Sequence, residues 1–209
     1  MAELKDIVKD ILHDDRRAGE VIRRIRSLLK KTPFEPKNFD LNDLVRETLA
    51  VVSALALGRK VELTSSITQN ELPILGDLIQ LQQVILNLVV NGIDAMGDRV
   101  AENRVIRIRT ARAEKFAELS VSDRGPGIPE DKLEAIFEPF YTSKAEGMGM
   151  GLSIARTIIE AHRGQISASN RIHGGASFRV RLPLVRRSLT AREANAAAAS
   201  GALQSLGDT

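Results

Sequence analysis

The stretch that most narrows the possible folds is a helix read over Leu78–Met96. Leu81, Val84, Ile85, Leu88, Val89 and Ile93 make it apolar on almost every side, as expected of a helix buried in a core rather than laid on a surface. Gln83, Asn87, Asn91 and Asp94 interrupt that surface, and at about 100° per residue they fall within one narrow arc. Burying such groups without partners costs about 1–3 kcal/mol each. The fold must therefore turn something polar toward that line.

Two glycine-bearing stretches fit the requirement. Asp123 ends an apolar run containing Leu119 and Val121 and is followed by Arg124-Gly125-Pro126-Gly127-Ile128. Two glycines around a proline suit a strand that breaks into a tight loop, so the carboxylate is held in place at the strand end. About twenty residues on, Gly147-Met148-Gly149-Met150-Gly151-Leu152 runs into a helical start. The free N–H groups and positive dipole end there suit an anion. Together the two stretches read as a grip for a base and its phosphates. The amide line then reads as the seat of a hydrated Mg²⁺, a cation that takes oxygen ligands and keeps several waters. The commoner phosphate loops are excluded: there is no G-x-x-x-x-G-K-[ST], and Gly147, Gly149 and Leu152 miss the third glycine of the dinucleotide fingerprint.

These residues carry a resemblance. The run from Gln83 through Asn87, Asn91 and Asp94 resembles the N box of sensor histidine kinases, and Asp123 to Gly127 resembles their first glycine box. Ile136-Phe137-Glu138-Pro139-Phe140 is similar to the F box, and Gly147 to Leu152 to the second glycine box. The resemblance implies the ATP-binding fold shared by histidine kinases, gyrase, Hsp90 and the mismatch-repair ATPases. That is an α/β two-layer sandwich of a mixed β-sheet and α-helices, here preceded by a long coiled-coil-like helix. Hydrolytic members of this superfamily resemble one another in placing a glutamate four residues before the metal-binding asparagine. This chain has Asn87 there, and an amide cannot accept a proton from water, which favours a kinase over an ATPase.

The resemblance also implies roles. Asp123 accepts a hydrogen bond from the exocyclic amine of adenine, and Gly125 and Gly127 admit the base. Asn91 is a ligand of Mg²⁺ in an Mg·ATP complex, Asn87 is a second ligand or a donor to phosphate, and Asp94, on the same line, is a cofactor-binding residue. Gly147, Gly149, Gly151 and Leu152 cradle the phosphates. Lys144, the only cation between the F box and the second glycine box, neutralises the β- or γ-phosphate by resemblance and by charge. Ser177 matches a position where the family often uses a hydroxyl to share a water with the adenine-binding aspartate. Phe137 and Phe140 read equally as core anchors of the lid. Gly92 stands where the family usually has alanine, which weakens the helix by about 1 kcal/mol and is expected to loosen the site.

The remainder of the chain sets the organisation. Leu4, Val8, Ile11, Asp15, Ala18, Ile22, Ile25 and Leu29 alternate spacings of four and three, a heptad seam. Residues 1–32 therefore read as a dimerisation-stem helix, and 14–22 resembles the second helix of the histidine-kinase hairpin. Such a seam needs a partner, so a homodimer through this helix is expected. The phospho-acceptor histidine of the family belongs to the first hairpin helix; His13-Asp14 imitates only its first two letters, so acceptance is expected on another stem helix rather than at His13. If that helix is absent, autophosphorylation is expected to fail although ATP binds. Residues 33–38 with Pro33 and Pro36 read as a hinge, 39–185 as the ATP-binding domain, and the alanine-rich 186–209 as a mobile tail.

Asp40 is expected to cap a helix, and strands are expected at 60–67, 73–75, 104–111, 115–122, 165–169 and 176–182. His162 closes a helix before Arg163-Gly164, a position that favours a cation, and neither it nor His173 has a companion at metal-ligand spacing. A net charge of +3 with 3% aromatic residues argues against a stacking nucleic-acid surface. Without cysteine there is no disulfide or thiol chemistry. No signal peptide or membrane-spanning stretch is recognised, so a cytoplasmic location is expected. The expected partners are a histidine on the dimerisation stem and a response-regulator receiver domain. An anti-sigma-type serine kinase and a non-catalytic nucleotide-binding module of the same fold stay open as alternatives, separated from the first reading by the acid lability of the phosphorylated product.

Overall fold

Aspartates start the two helices that carry the domain. In the computed structural model, which describes residues 35–97, 104–142 and 149–185, strand β1 (Lys37–Asp40) runs directly into helix α1 (Leu41–Gly58). Asp40 is the N-cap, its Oδ1 accepting from the Asn42 N–H at 2.7 Å and its Oδ2 from the Leu72 N–H at 3.2 Å. Strands β2 (Glu62–Ser66) and β3 (Pro73–Gly76) follow, then helix α2 (Leu78–Met96). Asp77 caps α2 by accepting from the Gln80 N–H at 3.1 Å, satisfying one of the donors that a helix start leaves unpaired. The remaining elements are β4 (Val105–Ala113), β5 (Phe116–Ser122), α3 (Gly151–Ala161), β6 (Gln165–Asn170) and β7 (Ala176–Pro183). The expected stem helix over 1–32 with His13, the tail 186–209, and the site residues Lys144 and Gly147 lie outside the described residues.

Five strands form one sheet in the order β2-β4-β5-β7-β6, with β2 parallel to β4 and the other pairs antiparallel. Alternation decides which face is covered. Ile106, Ile108, Leu119, Val121, Phe178 and Val180 are buried beneath the helices, whereas Arg107, Arg109 and Arg179 between them are exposed. The result is the expected two-layer sandwich of a mixed sheet and helices.

α2 is the centre of the helical layer. With 19 residues it is long and apolar enough to match a membrane-spanning segment by length and composition, a correction to the expectation that no such stretch exists. Here, however, one face is taken up by protein, with Leu88 and Val89 fully buried and Leu81, Val84, Ile85 and Ile93 nearly so, while Leu78, Ile79 and Val90 stay exposed. Covering each buried side chain contributes about 1.5–3 kcal/mol.

Two features depart from the sequence reading. β1 begins inside the stretch read as hinge and pairs antiparallel with β3, Lys37 opposite Gly76 and Phe39 opposite Ile74. Four residues with a proline just before them offer too little alternation to be recognised. His162 is 5% exposed and is bonded on both sides of its ring at the end of α3. Its Nε2 accepts from the Asp77 N–H at 2.9 Å while Nδ1 lies 2.7 Å from the Ile158 carbonyl oxygen, an arrangement that only a neutral ring protonated on Nδ1 satisfies. The ring thus ties the end of α3 to the cap of α2.

Candidate active site

The loop that leaves β5 brings Asp123 against α2. Its carboxylate is 3% exposed, and Oδ1 accepts from the Gly125 N–H at 2.7 Å and the Ala176 N–H at 3.1 Å. The Asp123 N–H donates to the Ala176 carbonyl at 3.0 Å. Two backbone donors on one oxygen set the direction of the group.

The approach of the loop to α2 is close. A Cβ on Gly92 would lie 2.6 Å from Ile106 Cδ1, 3.4 Å from Asp123 Cβ and 3.8 Å from Asp123 Oδ2. A Cβ on Gly125 would lie 3.2 Å from the Ala95 carbonyl oxygen. Gly92 therefore lies where helix, β4 and aspartate pack together, its tightest neighbour being the movable end of the Ile106 side chain. Gly127 stands at φ +85°, a conformation that side chains rarely adopt.

The residues expected to face phosphates are set one and a half turns earlier on α2. Asn87 Nδ2 donates to the Gly151 carbonyl at 3.2 Å, fixing the start of α3 against the amide line. With that nitrogen committed, Oδ1 is the atom Asn87 can offer a cation. Asn91 is one turn on and half-buried. Asp94, further along the same line, lies 3.8 Å from the Arg59 guanidinium. Gly151 is the first residue of α3 and Leu152 packs against the core. Among the described residues no group of three or more His, Asp or Glu is placed to hold a metal. The oxygens at hand are the amides of Asn87 and Asn91, which suits Mg²⁺, a cation commonly held by one or two protein oxygens together with substrate phosphates and waters.

The F box divides. Phe137 is buried and meets Phe178 edge-to-face at 6.4 Å, anchoring the segment. Phe140 is 71% exposed at φ +67° and is not an anchor. Gly149, across the 143–148 segment, packs on the backbone of Phe140 and Tyr141.

Ser177 needs correction. Its hydroxyl bonds Ser122 Oγ at 2.9 Å, and Ser122 and Ser177 are opposite one another in the ladder, so both lie on the solvent face of the sheet. The residue that meets Asp123 is Ala176, one position earlier, and it offers only its backbone. Ser177→Ala is accordingly expected to change the ATP dissociation constant less than twofold, as isothermal titration would show, and to lower stability by about 1 kcal/mol.

Missed by the sequence reading were Asn170 and Arg171. Asn170 bonds the backbone of Ile128 through both atoms of its amide, and Arg171 Nη1 donates to the Asp123 carbonyl at 2.8 Å. The only local signal was an asparagine before a glycine-rich turn, which reads as punctuation.

Residues 76–186 match the family model described as histidine kinase-, DNA gyrase B- and HSP90-like ATPase. The chain is 38% identical over 169 residues to the C4-dicarboxylate transport sensor protein DctS of Rhodobacter capsulatus, covering 81% of this chain and 26% of that protein. It is 40% identical over 185 residues to the sensor histidine kinase TmoS of Ectopseudomonas mendocina, covering 87% of this chain and 19% of that protein. The chain thus spans about a fifth to a quarter of the length of these two relatives. Among solved structures, the catalytic domain of histidine kinase ThkA is similar at a TM-score of 0.64 with 34% identity, covering 72% of this chain and 96% of that one. ThkA in complex with the response regulator TrrA is similar at a TM-score of 0.70 with 30% identity, covering 87% and 52%.

Proposed function

The chain belongs to the histidine kinase-, DNA gyrase B- and HSP90-like ATPase family and carries the ATP-binding catalytic domain of a sensor histidine kinase, and from that premise we propose that it delivers the γ-phosphoryl of Mg·ATP to a histidine on a dimerisation stem. The observation that carries this reading is the arrangement along α2. Asn87 is bonded to the start of α3, while Gly92 and Ala95, less than about 12 Å further along the axis, pack on Asp123 and Gly125. One rigid element thereby spaces the phosphate end from the base end.

Each part then has a task. Asp123, directed by its two backbone donors, accepts from the exocyclic amine of adenine. Asn91 and Asn87 would hold Mg²⁺ through their amide oxygens, and the ion would supply positive charge against the phosphates. The N-terminal N–H groups and dipole of α3 stabilise the phosphates. Lys144 adds a positive charge by the same logic. Asn87 cannot deprotonate water, so the site orients the phosphoryl group and leaves the nucleophile to be supplied. Catalysis is then positioning and charge neutralisation. Acceptance by a stem histidine, pairing of stems in a dimer and onward transfer to a response-regulator aspartate complete the proposal; the ThkA–TrrA complex supports the last step. A cytoplasmic site of action accords with the use of ATP.

The test is incubation of the chain with ATP labelled in the γ-phosphate and Mg²⁺, with and without a complete dimerisation hairpin, followed by mapping of the labelled residue. Acid-labile label on the added hairpin is expected. Acid-stable phosphoserine would assign a serine kinase, and bound ATP without label on either component would assign a binding module. Label on His13 would move the acceptor into this chain.

A further inference from the structure

The loop 123–128 is held on its outer side by two consecutive side chains from the β6–β7 hairpin, more than forty residues away in sequence. Asn170 is the last residue of β6. Its Oδ1 accepts from the Ile128 N–H at 2.8 Å and its Nδ2 donates to the Ile128 carbonyl at 2.6 Å. This two-point bond reproduces, with a side-chain amide, the exchange that a paired strand residue makes with its backbone. Gly127 belongs to the same device, since a Cβ there would lie 2.8 Å from Asn170 Oδ1. At the other end of the loop, Arg171 Nη1 donates to the Asp123 carbonyl at 2.8 Å. The Arg171 N–H in turn donates to the Gly175 carbonyl at 2.9 Å, which fixes the hairpin that presents both side chains.

What these bonds do follows from where they lie. Asn170 is exposed, and an exposed hydrogen bond adds little to global stability. Buried contacts already secure the strand end, through Asp123 and Ala176. Gly125 is held in the same way by its bond to Asp123, and beyond it the turn from Pro126 to Ile128 is tied by the Asn170 amide. We propose that Asn170 and Arg171 are positioning residues that hold the adenine-facing loop, and that they set both the affinity for ATP and the preference for adenine over guanine. The proposal rests on the nucleotide-site reading above. The chemical reason is geometric. Adenine presents an amine where guanine presents a carbonyl, so a carboxylate held at one place rejects guanine by opposing two acceptors. A loop free to shift relaxes that opposition and also weakens the contact with adenine.

Two measurements test it. In the unaltered chain, hydrogen exchange of the Ile128 amide is expected to be slowed at least tenfold relative to an unstructured amide; exchange at the unprotected rate would overturn the clasp. In Asn170→Ala and Arg171→Ala, the ATP dissociation constant is expected to rise about tenfold and the ratio of GTP to ATP dissociation constants to fall at least threefold. The melting temperature without nucleotide is expected to stay within about 2 °C, a readout that a merely structural role would move instead. Wild-type affinity and base preference in both variants would sink the proposal. Should the unaltered chain bind no ATP, the fault would lie with the nucleotide-site reading and not with the clamp, because Ile128 protection is read without ligand.

Discussion

Asp123→Asn is expected to weaken ATP binding about 100-fold while leaving the domain folded. The reason is the division of labour between the two carboxylate oxygens. Oδ1 carries the Gly125 and Ala176 N–H groups, and the single carbonyl oxygen of an asparagine can keep both. The second position becomes an NH₂ group. Facing the exocyclic amine of adenine, it sets donor against donor where a charge-assisted hydrogen bond stood. Such a bond contributes about 1.5–3 kcal/mol, and about 2.7 kcal/mol corresponds to a factor of 100 in affinity. Calorimetric titration with ATP measures it, and a thermal melt of the unliganded variant confirms that the change is local. Asp123→Ala is the poorer test, since it orphans two backbone donors at a buried position and confounds binding with folding. An unchanged affinity in Asp123→Asn would reduce the aspartate to a cap of its own loop.

The residues that were legible from sequence and those that were not differ by the range of the interaction behind them. The amide line of α2 could be read because a helix makes its own periodicity visible within a few turns, and Asp123 because a strand, a carboxylate and two glycines follow one another directly. Asp40 as a cap is equally local. The error at Ser177 comes from a different source. Whether Ala176 or Ser177 meets Asp123 depends on the register of β5 on β7, Ser122 opposite Ser177, and moving one residue along a strand exchanges its faces. No local pattern fixes that register. Asn170 and Arg171 were invisible for the same reason, as their partners are reached only after the sheet has closed. His162 was misread because a helix terminus was considered without the Asp77 N–H that the fold places on its ring. Gly92 was read by its propensity, a property of the isolated helix, without the Ile106 and Asp123 side chains that the fold sets against it.

The glycines of Gly147 to Leu152 look alike in sequence, yet two of them should respond in opposite ways to one added methyl group. Gly149 sits at φ +65°, and a Cβ there would press on the Tyr141 carbonyl oxygen and lie 2.5 Å from the Phe140 carbonyl carbon. These are backbone atoms with no rotamer to move aside, so Gly149→Ala combines positive-φ strain of about 1–3 kcal/mol with separation of the two ends of the 143–148 segment. Because α3 begins two residues later and Asn87 is bonded to its first carbonyl, the displacement also reaches the phosphate end of the site. The expected result is a melting temperature lower by about 6–12 °C, from a loss of about 3 kcal/mol, together with an ATP affinity at least thirtyfold weaker. At Gly151, by contrast, an added Cβ meets no atom of the described residues within 4 Å and the backbone is helical. Gly151→Ala should therefore hold its melting temperature within about 2 °C or raise it, alanine being the better helix former. Any loss of ATP affinity at Gly151 then reports contact with the phosphates themselves, while the loss at Gly149 reports the fold that brings them there. Thermal melts and ATP titrations of the two variants side by side separate these causes, and an equal fall in melting temperature at both positions would refute the distinction.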